Sequence, residues 1–194
     1  MMTYRNSLFS EPQTPKLPDS PDTLSVLRLR SILSDLSDAS SDADCRRILP
    51  VILCIGTDRI IGDCLGPLAG SMLKKAAGES LTVYGTLEHT VHALNLQKIS
   101  REIKKKHHRQ ILIAIDASLG SYERIGSVFV RPGCLKPGAG VRKNLPDVGD
   151  IAITGIANGE SASPYLDLQT ARLSTISRMA ETICGCILGA CFGN

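Results

Sequence analysis

Tryptophan does not occur in this chain of 194 residues, and aromatic rings are confined to three phenylalanines and four tyrosines. Nucleic acid held without a dedicated reading motif needs such rings as stacking platforms set among cations, and no Lys/Arg stripe here is interleaved with them. The charge balance agrees, since 22 basic against 19 acidic residues leave a net +3, too small an excess to demand a polyanion. No uninterrupted apolar stretch reaches the roughly 18 residues of a membrane span. The opening MMTYRNSLFSEPQTPKLPDSPD also lacks the apolar core and cleavage pattern of a secretory signal. Neither nucleic acid nor membrane is expected as a partner. CxxC pairs are missing, which removes the usual frame of a structural zinc site. The seven cysteines, Cys45, Cys54, Cys64, Cys134, Cys184, Cys186 and Cys191, are an odd set lying mostly in apolar segments, where the thiol packs as a small hydrophobe. A reduced, cytoplasmic protein is the expectation.

What is present is a regular alternation of apolar runs and helical patterns. Residues 1–22 are rich in Pro, Ser and Asp and read as a disordered arm. From Thr23 the apolar positions recur at helical spacing, giving an extra N-terminal helix within 23–44, the first part of a single α/β domain spanning 23–194. The run ILPVILCI, a helix from Asp63 to Ala77, the strand LTVYG, a helix from His92 to about Lys105 and the strand QILIAI form two β-α-β units in series. Strands this uniformly apolar are covered on both faces, so a three-layer α/β/α fold with a mostly parallel central sheet is predicted. Beyond it, SVFVR and DIAITGI read as a loop-rich hairpin or edge region, and Leu166–Leu188 as one long amphipathic helix packed back on the sheet.

Two acids stand at the ends of apolar strands. Asp63 belongs to GTDRIIGDCLGP, directly after ILPVILCI, and Asp116 ends QILIAID. In a doubly wound sheet the first and third strands are neighbours, and ligands bind beyond their carboxyl ends, so the two loops converge. Asp63 has an alternative role as the N-cap of the following helix. Asp116, ending an otherwise apolar strand, is expected to have a raised pKa unless paired. A carboxylate pair can share one proton as an acid/base dyad or hold a divalent metal ion with a water, and both uses stay open, with no cofactor required by the sequence. Asp58 is near enough in sequence to add a third acid.

Further candidates surround this pair. Gly56, Gly62 and Gly66 suggest a tight loop with backbone close to a ligand, yet the GK[ST] ending of a phosphate-binding loop is lacking. Glu88, His89 and His92 follow the second strand and could enter the same cleft, although a cap at Thr90 and a surface His92 fit equally. The loop PGAGVRKNLPDVGD, with Gly138, Gly140, Arg142 and Lys143, could bring a cation or backbone donors to an oxyanion, or be a plain crossover. Lys104–Arg109 reads as a solvated helix C-terminus. Cys184 and Cys186 read as core packing, and Cys64, without a nearby His base, ranks below the acids as a nucleophile.

On VILCIGTDRIIGDCLGPLAG, YGTLEHTVHALNL, IAIDASLG and KPGAGVRKNLPDVGDIAITGIAN the chain closely resembles the YyaC-type family of spore-forming bacteria, over about residues 49–185. That family in turn is similar to the spore germination protease and the hydrogenase maturation endopeptidases, which share a phosphorylase-like α/β/α fold; GD-x-LGP and IDA carry this second link. The resemblance implies a sporulation peptidase acting on a small spore protein or peptide, with Asp63 and Asp116 as the catalytic pair or as metal ligands. From their positions in the loops, Gly62, Glu88, His92, Gly138, Gly140 and Lys143 are expected as the substrate-binding set. In the hydrogenase enzymes a His joins the two acids at a metal. No His follows Asp116 here, which favours the germination-protease pattern. The alternative is a peptidase-like binding protein without turnover, and homo-oligomer formation is left open.

Overall fold

The computed structural model describes residues 23–39, 49–138 and 145–193. The arm, Cys45, Gly140, Arg142 and Lys143 therefore lie outside the described residues, as does the stretch 40–48 that was to close the first helix.

Val51–Cys54 (β1) is buried at every position, as an interior strand covered on both faces must be. It pairs in parallel with Val83–Tyr84 (β2) and with Leu112–Gly120 (β3). Ile151–Gly159 (β5) continues the parallel set beside β3, and Val128–Pro132 (β4) joins β5 antiparallel at the edge. The order β2-β1-β3-β5-β4 gives the predicted mostly parallel sheet, with the first and third strands adjacent and SVFVR at the edge.

The period of two along each strand sorts the core into two layers. Ile52, Cys54, Ile113, Ile115, Ile151 and Ile153 face helices Thr23–Ala39 (α1), Leu65–Ala77 (α2) and, at the C-terminus, Leu173–Phe192 (α5). Val51, Leu53, Leu112, Ala114 and Ala152 face the opposite way, toward Leu96–Lys106 (α3) and the loop residues Leu135 and Val148. Each fully buried Leu or Ile contributes about 1.5–3 kcal/mol of transfer free energy, so the larger helical layer is where most of the stability resides. In α3 only Leu96, Ser100 and Ile103 are buried. Its last turn is Lys104–Lys106, the solvated end that favours positive charge, with a 2.6 Å ion pair between Lys106 and Glu102. At its end, His107 meets the Tyr84 hydroxyl at 3.1 Å and Gln110 at 2.7 Å, and Gln110 donates to the Leu49 carbonyl.

Three expectations are corrected. Asp116 does not end its strand: β3 runs on to Gly120 because residues 116–120 pair with 154–159 of β5, so non-local ladder bonds override the weak strand preference of Ser and Gly. The C-terminal helix is two helices, Pro164–Gln169 (α4) and α5. Between them Thr170 turns its hydroxyl back to the Leu166 carbonyl, while the Asn158 amide donates to the Asp167 carbonyl at 2.8 Å; carbonyls satisfied by side chains need no further helical turn. The helix expected from His92 starts only at Leu96, because His92–Asn95 forms a turn closed by the His92 N–H donating to Asn95 Oδ1. By length and composition α5 could cross a membrane, but its Ile176, Met179, Ile183 and Ile187 are buried against the sheet and α2, so its apolarity serves the core.

Candidate active site

The mouth of β1 is shaped by close backbone contacts. After Ile55 the chain turns at Gly56, whose φ of 141° lies in the region glycine favours. A Cβ there would sit 2.0 Å from the Asp63 carbonyl oxygen. That carbonyl accepts from the Thr57 N–H at 3.1 Å, and the Asp63 N–H donates to the Ile60 carbonyl at 3.0 Å. The loop thus folds back on the strand and enters a 3-10 turn, Ile61–Cys64, that runs directly into α2. Gly66 allows α2 to approach within 2.1 Å, measured from a notional Cβ, of the Ile55 carbonyl oxygen. Asp63 is half-buried in the first turn of this helical segment, where the positive end of the peptide dipoles favours a negative charge. It is not the N-cap: Ile60 precedes the turn, Cys64 precedes α2, and neither end has a side-chain cap bond.

Asp116 sits one register beyond the last pairing of β1 with β3, Cys54 with Ile115. It is 8% exposed, on the same sheet face as Ala114. Burial pushes its carboxyl well above the usual range, and the Asp63 charge pushes it further; N–H groups of Ala117 and Gly138 donate to it and only partly oppose the rise. The Ala117 bond is 2.9 Å long. The two acids are therefore electrostatically coupled at the rim where β1 stops and β3 continues.

The other candidates divide. Gly138 stands beside Asp116 and spends its N–H on that carboxyl. Gly62 is buried under α4, where a Cβ would come within 2.6 Å of the Leu168 carbonyl. Glu88 is exposed and lines a separate groove of about 790 Å³ beside β2, together with His89. His92 accepts from the Leu94 N–H through Nδ1 in its turn. Asp58 lies near Cys64, whose thiol is pushed up by burial first and then by the charges of Asp63 and Asp58. That leaves it protonated rather than activated. Among the described residues no three His, Cys, Asp or Glu side chains are gathered for a metal ion. A cation between Asp63 and Asp116 would lack a third described protein ligand.

A cleft of about 760 Å³ opens over Asp116, lined also by Ser118, Thr154, Phe129, Arg131 and Lys136. Residues 27–186 match the family described as Protein of unknown function (DUF1256). The chain belongs to that family. Its match to YyaC of Bacillus subtilis (strain 168), described as an uncharacterized protein, is 46% identical over 133 residues, or 69% of this chain and 65% of that protein. The matched region is thus just under two thirds of that relative's own length. The YyaC-type resemblance of the motifs is in this way supported by both comparisons. For this DUF1256 chain, sequence reading had passed over Thr154, Phe129 and Arg131. Their signal was the alternation in SVFVR and DIAITGI, which puts Phe129 and Arg131 on one face, but which strand they would meet was fixed only by pairing across the sheet.

Proposed function

We propose that this protein is a sporulation peptidase that cleaves a peptide bond in a small protein substrate with Asp63 and Asp116. The observation that carries the reading is a buried Asp116 at the mouth of a cleft, its carboxyl raised above the usual range by burial and by the charge of Asp63. Environments that push the two members of a pair apart suit one as acid and the other as base. Asp63, as carboxylate, takes a proton from water while the water oxygen bonds to the scissile carbonyl carbon. Asp116 gives its proton to the leaving nitrogen as the C–N bond breaks, and the pair resets when the proton held on Asp63 returns to Asp116. General acid–base steps of this kind contribute about 10²–10⁴-fold each. The test is incubation of the purified chain with small acid-soluble spore proteins and with a mixed peptide library, read by mass spectrometry. Asp116→Asn and Asp63→Asn should each lower cleavage at least a hundredfold at unchanged fold; full activity in either variant removes the assignment.

A second reading, a peptidase-like binding protein in the spore, is favoured by the two backbone N–H groups on Asp116, which also tie β3 to the loop at Gly138. Binding of the same proteins without any cleavage product decides for it.

A further inference from the structure

The sheet face that carries Asp116 is covered by α3 and its neighbours only over β1 and β2 and by Leu135 and Val148 over Ala114 and Ala152. Over the carboxyl ends of β3 and β5, and over β4, the described helices bury their apolar residues on the other face, and only Ser25 and Arg28 of α1 and Leu168 of α4 reach the cleft at its border. Register sets a row across the bare strip. Asp116 pairs with Thr154, Thr154 pairs with Phe129, and Arg131 pairs with the adjacent Ala152. Paired residues share a face, so the row runs from the acid to the sheet edge. Phe129 is 41% exposed, and Arg124 lies over its ring at 5.9 Å.

Charge along this strip is one-sided. Arg124, Arg131 and Lys136 line the cleft and form no salt bridge with any described residue, the described pairs being Lys74 with Glu79 and Lys106 with Glu102. Arg131 spends one N–H on the Cys134 carbonyl at 3.1 Å, which holds the guanidinium in place and leaves other donors free. Among the described residues Asp116 is the only acid that lines the cleft; Asp147 is met by the thiol of Cys134, a lining residue, at 3.5 Å. A single exposed ring does not provide the succession of platforms that single-stranded nucleic acid uses. An extended polypeptide needs only one apolar seat and flanking cations.

We infer that this strip is the substrate-docking surface and takes an extended acidic peptide, one apolar side chain on Phe129 and carboxylates against Arg131 and Lys136, its backbone crossing β5 toward Asp116. The polypeptide identity of the occupant rests on the peptidase reading above; the charge preference rests on the strip alone. Exposed ion pairs are individually weak, and two or three together should favour an acidic peptide by roughly tenfold.

The experiment uses the full chain carrying Asp116→Asn, titrated by fluorescence anisotropy with a labelled peptide alternating glutamate and leucine, and with its glutamine twin. The unaltered chain is run in parallel as a control on folding. The glutamate peptide should bind about tenfold more tightly at low salt, and the advantage should vanish near 1 M salt, where the screening length falls to about 3 Å. Arg131→Gln with Lys136→Gln should erase the preference and leave the glutamine twin unaffected, while Phe129→Ser should weaken both. Equal binding of the twins, an unchanged preference in the double variant, or tighter binding of a thymidine oligonucleotide would overturn the inference. Binding is read on a chain lacking the acid. Tight binding here without cleavage by the unaltered chain would therefore remove the peptidase reading and leave this one standing.

Discussion

Replacing Gly56 by alanine tests how the loop positions Asp63. The added Cβ would lie 2.0 Å from the Asp63 carbonyl oxygen and 3.1 Å from Pro67 Cδ, and contacts below 3.0 Å are essentially never made by real Cβ atoms. The carbonyl must therefore move by about 1 Å, breaking the 3.1 Å bond from the Thr57 N–H, because Pro67 blocks the alternative. Backbone strain at a φ of 141° costs about 1–3 kcal/mol and the lost hydrogen bond about 1 kcal/mol. For a chain of this size, where 1 kcal/mol moves Tm by about 2–4 °C, the midpoint should fall by roughly 5–15 °C. A misplacement of about 1 Å at a reacting group costs on the order of 10² in rate, so any Asp63-dependent cleavage should fall by that factor even well below the midpoint. Gly78→Ala is the control. Its φ of 57° with ψ of −129° also favours glycine, yet a Cβ there meets nothing within 4 Å, so only the backbone strain of about 1–3 kcal/mol is expected, without the clash or the lost hydrogen bond. Scanning calorimetry with a cleavage assay on both variants reads the difference. Equal midpoints for the two would refute the claim that contact with Asp63, rather than glycine flexibility in general, shapes this loop.

Stability should also report the buried proton. The Asp116 carboxyl is raised above its ordinary value of 3.8, so the folded chain binds more protons than the unfolded one above that pH, and stability falls as pH rises from about 4 through the folded pKa. Asp116→Asn lacks this term, and its Tm advantage over the unaltered chain should grow with pH; parallel Tm curves would contradict the assignment. Asp63→Asn removes one cause of the raised pKa, so the Asp116 carboxyl, followed by carbon NMR, should titrate at lower pH than in the unaltered chain, and an unmoved titration would show the two acids are uncoupled. Cys64→Ala should keep cleavage within about threefold, since a thiol held protonated is no nucleophile, whereas a loss of a hundredfold would shift the chemistry from the acids to sulfur. Asn158→Ala should cost about 1–2 kcal/mol by freeing the Asp167 carbonyl, read as a lower denaturation midpoint at unchanged slope.

The legible part of the fold was what depends on local pattern. VILC, LIAI and IAI are apolar without interruption, which implies strands buried on both faces, and the helical patterns on either side of LTVYG read as crossovers joining the first three strands. Adjacency of β1 and β3 followed from that topology. For the candidate site the pattern marks two acids beside apolar runs, and the topology brings both to one rim. What could not be read was anything set by partners distant in sequence. The local pattern ends the strand at Asp116 because DASLG has little strand preference of its own and is extended only where TGIANG lies beside it. The long C-terminal helix was drawn unbroken because its interruption depends on Asn158, a side chain on another element.

By itself the sequence determined the layer structure, the strand order around β1 and β3, and which two carboxyls follow the apolar runs, since periodicity and turn chemistry are encoded residue by residue. Only the tertiary structure decided that Asp116 lies inside a strand rather than at its tip, that Asp63 presses on it electrostatically, and that Glu88 lines a different groove. It also decided that Phe129 and Arg131 share the acid's face. The physical reason is that a pKa and a cleft are set by what surrounds a group in space. Burial, register and neighbouring charge come into being only when segments far apart in the chain are packed together.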